Sequence, residues 1–265
     1  MLESPPMLPF FREAGGGPGV VCLHANASTS GQWRGLVDLL APKFRVLAVD
    51  MYGAGKSAAW PQARLMTLAD EVDLLEPVLE RAGEPFALVG HSYGAGVALI
   101  AALQNPRRVR ALALYEPTLF SLVDADRPPP NDADGIRDTT IRAQAALDAG
   151  NTDAAAEAFI DFWMGAGSWA RTPEARKPPI AASCMNIRHW ANALIKEPTP
   201  LAAFRDLKIP VLYMTGSDSP ASSLAVARLL TRALPQVEVV DFKGLGHMAP
   251  VTHPERVNEA IARFL

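Results

Sequence analysis

Short, almost wholly apolar runs recur along the 265 residues and alternate with stretches of helical periodicity. A strand that is apolar at nearly every position is buried on both faces, as in a parallel sheet covered by helices. Such strands are predicted at Val20–Leu23, Arg45–Val49, Phe86–Val89, Val109–Tyr115, Val211–Thr215 and Val237–Phe242. A further run, Leu8–Ala14, precedes a glycine-rich turn and predicts an edge strand. The pattern therefore predicts an α/β fold built on a mostly parallel twisted sheet flanked by helices.

Composition and charge argue against several classes of protein. Hydrophobic residues make up 49% of the chain and charged residues 20%, which is typical of a soluble globular protein with a sizeable core. The formal net charge of −3 offers no basic surface to nucleic acid or to an anionic membrane. No window reaches the ~18 apolar residues of a membrane span, and we expect no signal peptide. Because Cys22 and Cys184 make no disulfide framework, we expect a cytoplasmic protein.

The alternation of strands and helices stops between Pro117 and Pro200. The periodicity of this stretch predicts helices at Thr139–Ala149, Asp153–Met164 and Ile180–Lys196. A segment of about 80 residues is too long for a loop without structure of its own. Because the strand pattern resumes after it, we expect residues 117–200 to form a helical cap. This cap would be inserted into a core made of residues 1–116 and 201–265.

One pentapeptide carries a chemical signature, the G-x-S-x-G pattern of Gly90-His91-Ser92-Tyr93-Gly94. It follows the predicted strand Phe86–Val89 and opens a predicted helix, Tyr93–Gln104. In this context the serine hydroxyl is lifted off the sheet, and the two glycines leave room for crowded neighbours. Ser92 also lies at a helix N-terminus, whose free N–H groups favour developing negative charge. We therefore expect Ser92 to be a nucleophile.

The chain resembles the α/β-hydrolase superfamily over nearly its whole length, because four motifs occur in the order that they have in that family. Besides the serine pentapeptide, they are Leu23–Ser28 after one strand, Asp50–Ser57 after the next and Gly244–His247 before the last helix. The second matches the family's D-x-x-G-x-G-x-S, whereas Ala25 replaces the usual glycine of the first. The resemblance implies an α/β-hydrolase fold with a helical cap inserted after the family's sixth strand, here Val109–Tyr115.

A serine hydroxyl needs a general base, and in this family the chain order is nucleophile, acid, histidine. His247 lies between the last strand and the last helix, where its loop can reach back over the sheet to Ser92. The other histidines precede or adjoin the serine, fall in the insertion or start the last helix: His24, His91, His189 and His253. We expect His247 to be the base. The resemblance also implies an oxyanion hole formed by the backbone N–H groups of Tyr93 and Asn26.

Two residues are candidates for the acid that orients the imidazole. The usual family position, after the strand before the last, holds Ser219, and Asp218 comes one residue earlier. Glu116 directly follows the strand Val109–Tyr115, where some members of the superfamily carry their acid. Glu116 has the longer side chain and is the preferred candidate, with Asp218 as the alternative.

A serine nucleophile implies attack on an acyl carbonyl and an acyl-enzyme that water clears. We therefore predict a serine hydrolase acting on a carboxylic ester. Lactone or carbon–carbon hydrolysis, a cofactor-free oxygenase and a ligand-binding receptor with little turnover are the alternatives. The sequence shows no metal-ligand cluster, P-loop or dinucleotide fingerprint, so we expect no cofactor. Large apolar side chains in the insertion predict a neutral, partly apolar small-molecule substrate, whereas the oligomeric state stays open.

Overall fold

The computed structural model describes residues 8–265, and a seven-stranded sheet forms their centre. The strands are β1 Phe11–Ala14, β2 Gly19–Leu23, β3 Arg45–Val49, β4 Phe86–His91, β5 Val109–Tyr115, β6 Val211–Gly216 and β7 Val237–Phe242. They lie in the order β1-β3-β2-β4-β5-β6-β7. β1 runs antiparallel to β3, and every other neighbouring pair is parallel. The predicted α/β class and mostly parallel sheet are confirmed.

Helices cover both faces of this sheet. The described helices are α1 Arg34–Leu40, α2 Leu68–Ala82, α3 Tyr93–Gln104, α4 Ser121–Asp126, α5 Asp134–Asp148, α6 Thr152–Met164, α7 Ser168–Arg171, α8 Lys177–Cys184, α9 Ile187–Ile195, α10 Ala221–Ala233, α11 Ala249–Thr252 and α12 Pro254–Phe264. Short 3₁₀ turns occupy Ser30–Trp33, Glu174–Arg176 and Leu201–Asp206. The helices α1 and α12 pack together on one face of the sheet, and α2 and α3 on the other.

Between β5 and β6 the described chain forms the helices α4 to α9 and no strand. The insertion follows β5, which is the fifth described strand and the sixth in the family's numbering. One predicted helix, Ile180–Lys196, is wrong, because α8 ends at Cys184 and α9 begins at Ile187. The Asn186 side-chain amide donates to the carbonyl oxygen of Ser183 at 3.1 Å. Such a side-chain bond to the local backbone competes with helical hydrogen bonding and accounts for the interruption.

The register of the central strands brings the ends of β4 and β5 side by side. His91, the last residue of β4, pairs with Tyr115, the last residue of β5. The N–H of Ser92 donates to the carbonyl oxygen of Tyr115 at 2.9 Å, and the N–H of Glu116 donates to that of Met214 in β6 at 3.1 Å. Ser92 and Glu116 are therefore neighbours at the carboxyl edge of the sheet, where open α/β sheets bind their ligands.

A buried carboxyl group of α2 contacts the residue that follows Ser92. Glu71 is fully buried and accepts hydrogen bonds from the Tyr52 N–H and the Tyr93 hydroxyl, both at 3.2 Å. Burial raises the pKa of Glu71 to about 7, and the two hydrogen bonds offset this only in part. Compared with the unfolded chain, the folded protein therefore favours the protonated form of this side chain.

Replacing Glu71 by glutamine is expected to raise the free energy of unfolding near pH 8 and to change it little near pH 5. Folding raises the pKa of Glu71 from 4.5 to about 7. The stability that the protonated side chain contributes is therefore complete below ~pH 4.5 and is lost as the pH rises through ~7. The stability lost by the wild type at high pH amounts to about 3 kcal/mol. Glutamine avoids this loss because it stays neutral. Urea unfolding of both proteins at the two pH values measures the effect. A stability difference that does not depend on pH would contradict a neutral buried carboxyl group.

Candidate active site

Ser92 stands at the sharp turn between β4 and α3. Its φ of 57° and ψ of −117° are a backbone conformation that residues other than glycine rarely adopt. A Cβ on Gly94 would lie 2.5 Å from the carbonyl oxygen of Leu23, and one on Gly90 would lie 2.5 Å from the Cα of Ala95. Both glycines are therefore required by close backbone contacts. Strain held in this way by the surrounding structure is typical of functional sites.

The imidazole of His247 lies between Ser92 and Glu116. It is carried by the loop that joins β7 to α11 and is 1% exposed. Its Nε2 atom is 2.9 Å from Ser92 Oγ, and its Nδ1 atom is 2.6 Å from Glu116 Oε2. The structure thus brings three of the predicted residues into one continuous hydrogen-bonded chain.

Two side chains that sequence reasoning missed hold the loop of His247. His91 Nε2–H donates to the carbonyl oxygen of His247, and the Tyr115 hydroxyl donates to that of Gly246, both at 2.9 Å. Burial lowers the pKa of His91 well below its ordinary value, so the ring is neutral and its proton lies on Nε2. The signal in the sequence is a side chain that can form hydrogen bonds at the last position of a largely apolar strand.

The carboxylate of Glu116 is fully buried and fully hydrogen-bonded. While Oε2 faces His247, Oε1 accepts hydrogen bonds from the Gly216 N–H at 2.7 Å, the Ser219 hydroxyl at 2.6 Å and the Thr215 hydroxyl at 3.0 Å. Burial raises the pKa of Glu116, but the contact with His247 and the hydrogen bonds from Gly216 and Ser219 outweigh it, so the pKa lies below its ordinary value. The group is therefore a carboxylate at neutral pH.

The alternative acid, Asp218, lies outside this chain of hydrogen bonds. Its side chain is exposed, and its Oδ1 atom accepts a hydrogen bond from the Ser217 hydroxyl at 2.8 Å. The next residue, Ser219, points inward and donates to Glu116. A serine thus fills the family's usual acid position and binds the carboxylate that comes from the neighbouring strand.

The predicted oxyanion donors, Asn26 and Tyr93, both adjoin Ser92, since Tyr93 follows it in the chain and Asn26 lines the same cavity. The N–H of Ala25, which replaces the family's glycine, donates to Gln32 Oε1 at 3.1 Å. Within residues 8–265, neither the N–H of Asn26 nor that of Tyr93 donates to a protein acceptor. Both groups can therefore donate to a bound ligand.

A narrow cavity opens onto Ser92. The insertion supplies most of its wall, largely with aromatic and aliphatic side chains, among them Phe120, Ile136, Phe159, Trp163, Trp190 and Leu194. No ionisable side chain of the described residues lines it. A cavity with this lining suits an uncharged, partly apolar ligand.

The insertion also contacts the imidazole directly. The indole of Trp163, on α6, stacks on the ring of His247 with centroids 4.1 Å apart and planes inclined by 28°. The ring of Phe162 meets the same indole edge-on at 4.8 Å. Such offset aromatic stacks contribute beyond the area they bury, and an indole face also attracts a cationic ring.

Other reactive groups lie elsewhere. Burial raises the pKa of the Cys22 and Cys184 thiols, which makes neither a nucleophile at neutral pH. Within residues 8–265, no three His, Cys, Asp or Glu side chains come close enough together to hold a metal ion. None of the described helices has both the length and the apolar character needed to cross a bilayer.

The sequence of this chain is similar to those of two named enzymes over most of its length. It is 28% identical to pimeloyl-(acyl-carrier protein) methyl ester esterase of Nitrosomonas europaea, over 91% of this chain and 93% of the relative. It is also 28% identical to 2-(acetamidomethylene)succinate hydrolase of Mesorhizobium japonicum, over 96% of this chain and 90% of the relative.

A solved structure agrees with the sequence relatives. An alpha/beta hydrolase from Sphaerobacter thermophilus superposes with a TM-score of 0.75 at 28% identity, over 96% of this chain and 95% of that one. The model of the family described as the alpha/beta hydrolase fold matches residues 18–254. The chain therefore belongs to the alpha/beta hydrolase fold family and is an enzyme of the hydrolase class.

Proposed function

We propose that this protein is a serine hydrolase that cleaves the acyl bond of a carboxylic ester. The observation that carries the proposal is the hydrogen-bonded chain from Glu116 through His247 to Ser92. The relatives named as an esterase and a hydrolase support the same type of reaction. Hydrolase chemistry follows from the family, and the ester substrate and the residue roles are the proposal.

Acylation begins when Ser92 Oγ attacks the ester carbonyl and His247 Nε2 takes its proton. The carboxylate of Glu116 keeps the other proton on Nδ1 and stabilises the imidazolium that forms. The N–H groups of Asn26 and Tyr93 donate to the oxyanion, at the point where negative charge develops. Because these dipoles are already fixed in a water-poor site, they stabilise the transition state more than water would.

Collapse of the oxyanion breaks the bond to the alcohol, whose oxygen takes the proton from His247 Nε2. The acyl group is then held on Ser92 Oγ. A water molecule, activated by the neutral imidazole, attacks this acyl-enzyme through the same sequence of steps. The carboxylic acid leaves, and Ser92 regains its proton.

We further propose that residues 117–200 act as a cap on a core of residues 1–116 and 201–265. The insertion walls the cavity with apolar side chains, which supports a neutral, partly apolar substrate. A substrate carboxylate would find no cation among the described lining residues. The stacked indole of Trp163 shields His247 from water and attracts its cationic form.

Ser92→Ala is expected to abolish turnover of p-nitrophenyl butyrate. Removing the nucleophile of such a triad typically lowers kcat by ~10⁶, because the remaining groups have no partner to act on. Initial rates over a range of substrate concentrations give kcat/KM, and thermal unfolding checks that the fold is intact.

Ser168→Ala is the matched control for that variant, since the Ser168 hydroxyl bonds to the carbonyl oxygen of Met164 and does not line the cavity. This variant is expected to keep the wild-type rate. If Ser92→Ala kept more than about a tenth of the wild-type kcat/KM, the nucleophile would be misassigned.

Glu116→Gln is expected to lower kcat by at least ~10², given that the analogous change in a serine protease costs ~10⁴. The Gly216 N–H and the Ser219 hydroxyl require an acceptor, so the glutamine oxygen turns to them and its NH₂ group faces His247 Nδ1. That nitrogen must then give up its proton, which moves to Nε2 and blocks proton abstraction from Ser92. Steady-state kinetics on the same ester measure the loss.

Asp218→Asn is the control for this change, because it also converts a carboxylate into an amide, in the loop that follows β6. Its exposed side chain contacts Ser217 and not His247, so kcat is expected to change by less than about threefold. A large loss in Asp218→Asn together with a mild one in Glu116→Gln would move the acid role to Asp218.

A further inference from the structure

One hydroxyl group in the cavity has no hydrogen-bond partner. Thr118 lies just after Glu116 at the carboxyl edge of the sheet, is 1% exposed and lines the cavity together with Ser92. Its Oγ1 atom makes no hydrogen bond within the described residues. Buried polar groups are normally paired, since leaving one unpaired destabilises the protein.

A second polar atom in the same cavity shares this property, and a third does not. Asn26 Oδ1 is buried and has no partner within the described residues. Thr140 also lines the cavity, but its hydroxyl donates to the carbonyl oxygen of Arg137 at 2.8 Å. Two residues with an unpaired polar atom therefore line the cavity together with Ser92, in an otherwise largely apolar wall.

We propose that Thr118 forms a polar subsite, which selects esters that carry one uncharged hydrogen-bonding group on an otherwise hydrocarbon acyl chain. The group is an ether, hydroxyl or amide, paired by Thr118 Oγ1, and Asn26 is a second residue of the same cavity with an unpaired polar atom. A charged group does not fit, because no ionisable side chain of the described residues lines the cavity to compensate it. This inference rests on the proposed ester hydrolase function.

Selection follows from whether the bound acyl chain forms a hydrogen bond with the Thr118 hydroxyl. A purely hydrocarbon chain displaces water from the cavity and leaves the Thr118 hydroxyl unpaired. A chain with an oxygen at the right position removes water and pairs the hydroxyl. The difference appears in kcat/KM, because that ratio measures transition-state binding relative to free enzyme and free substrate.

The test compares p-nitrophenyl pentanoate with its ether isosteres, the ethoxyacetate and 3-methoxypropanoate esters, in the wild type and in Thr118→Val. Valine keeps the shape of threonine and lacks the hydroxyl. For each ether ester, kcat/KM is divided by the kcat/KM of the pentanoate ester in the same protein. Comparing this ratio between proteins cancels the intrinsic reactivity of the esters. For at least one ether position, the ratio is expected to fall about tenfold in Thr118→Val.

Two further variants separate the lost hydroxyl from a general disturbance. Thr118→Ser keeps the hydroxyl and is expected to keep the ratio of the wild type. Thr140→Val removes a cavity hydroxyl that is already paired and is also expected to leave the ratio unchanged. Ser92-dependent turnover with the same ratio in the wild type and in Thr118→Val would overturn the subsite alone. Absence of Ser92-dependent turnover for every ester would overturn the proposed function and the subsite with it.

Discussion

The hydrogen bond between Glu116 and His247 connects the loops at the carboxyl edge of the sheet. A buried carboxylate is stable only when its oxygens are paired, and Glu116 meets that condition with donors from Thr215, Gly216 and Ser219. Those donors come from the end of β6 and the loop after it, so the carboxylate joins β5 to the neighbouring strand. The same carboxylate fixes the ring of His247, which in turn reaches Ser92. The proposed roles of Glu116, His247 and Ser92 thus depend on the register of the sheet as much as on side-chain chemistry.

The insertion completes a site that the sheet alone leaves open. Its helices turn apolar side chains towards Ser92, and Trp163 rests on the imidazole itself. One segment therefore both walls the cavity and covers the proposed base. A displacement of α6 would change both the cavity and the surroundings of His247.

The sequence predicted what depends on local pattern. Ser92, its glycines and the exact span Tyr93–Gln104 of α3 followed from a short motif and an apolar helix. The choice between Glu116 and Asp218 could not be made locally, because it depends on the pairing of β5 with β6 and on the inward direction of Ser219. The hydrogen bond by which His91 holds the loop of His247 depends likewise on a contact between segments far apart in the chain.

The most direct test of the central claim is the site of covalent modification by a fluorophosphonate, read by tandem mass spectrometry of the digested protein. The account predicts that the wild type is modified on Ser92 alone. It also predicts that His247→Ala is modified far more slowly, because the hydroxyl then lacks its base. Modification of a different residue, or esterase activity that survives complete labelling of Ser92, would contradict it.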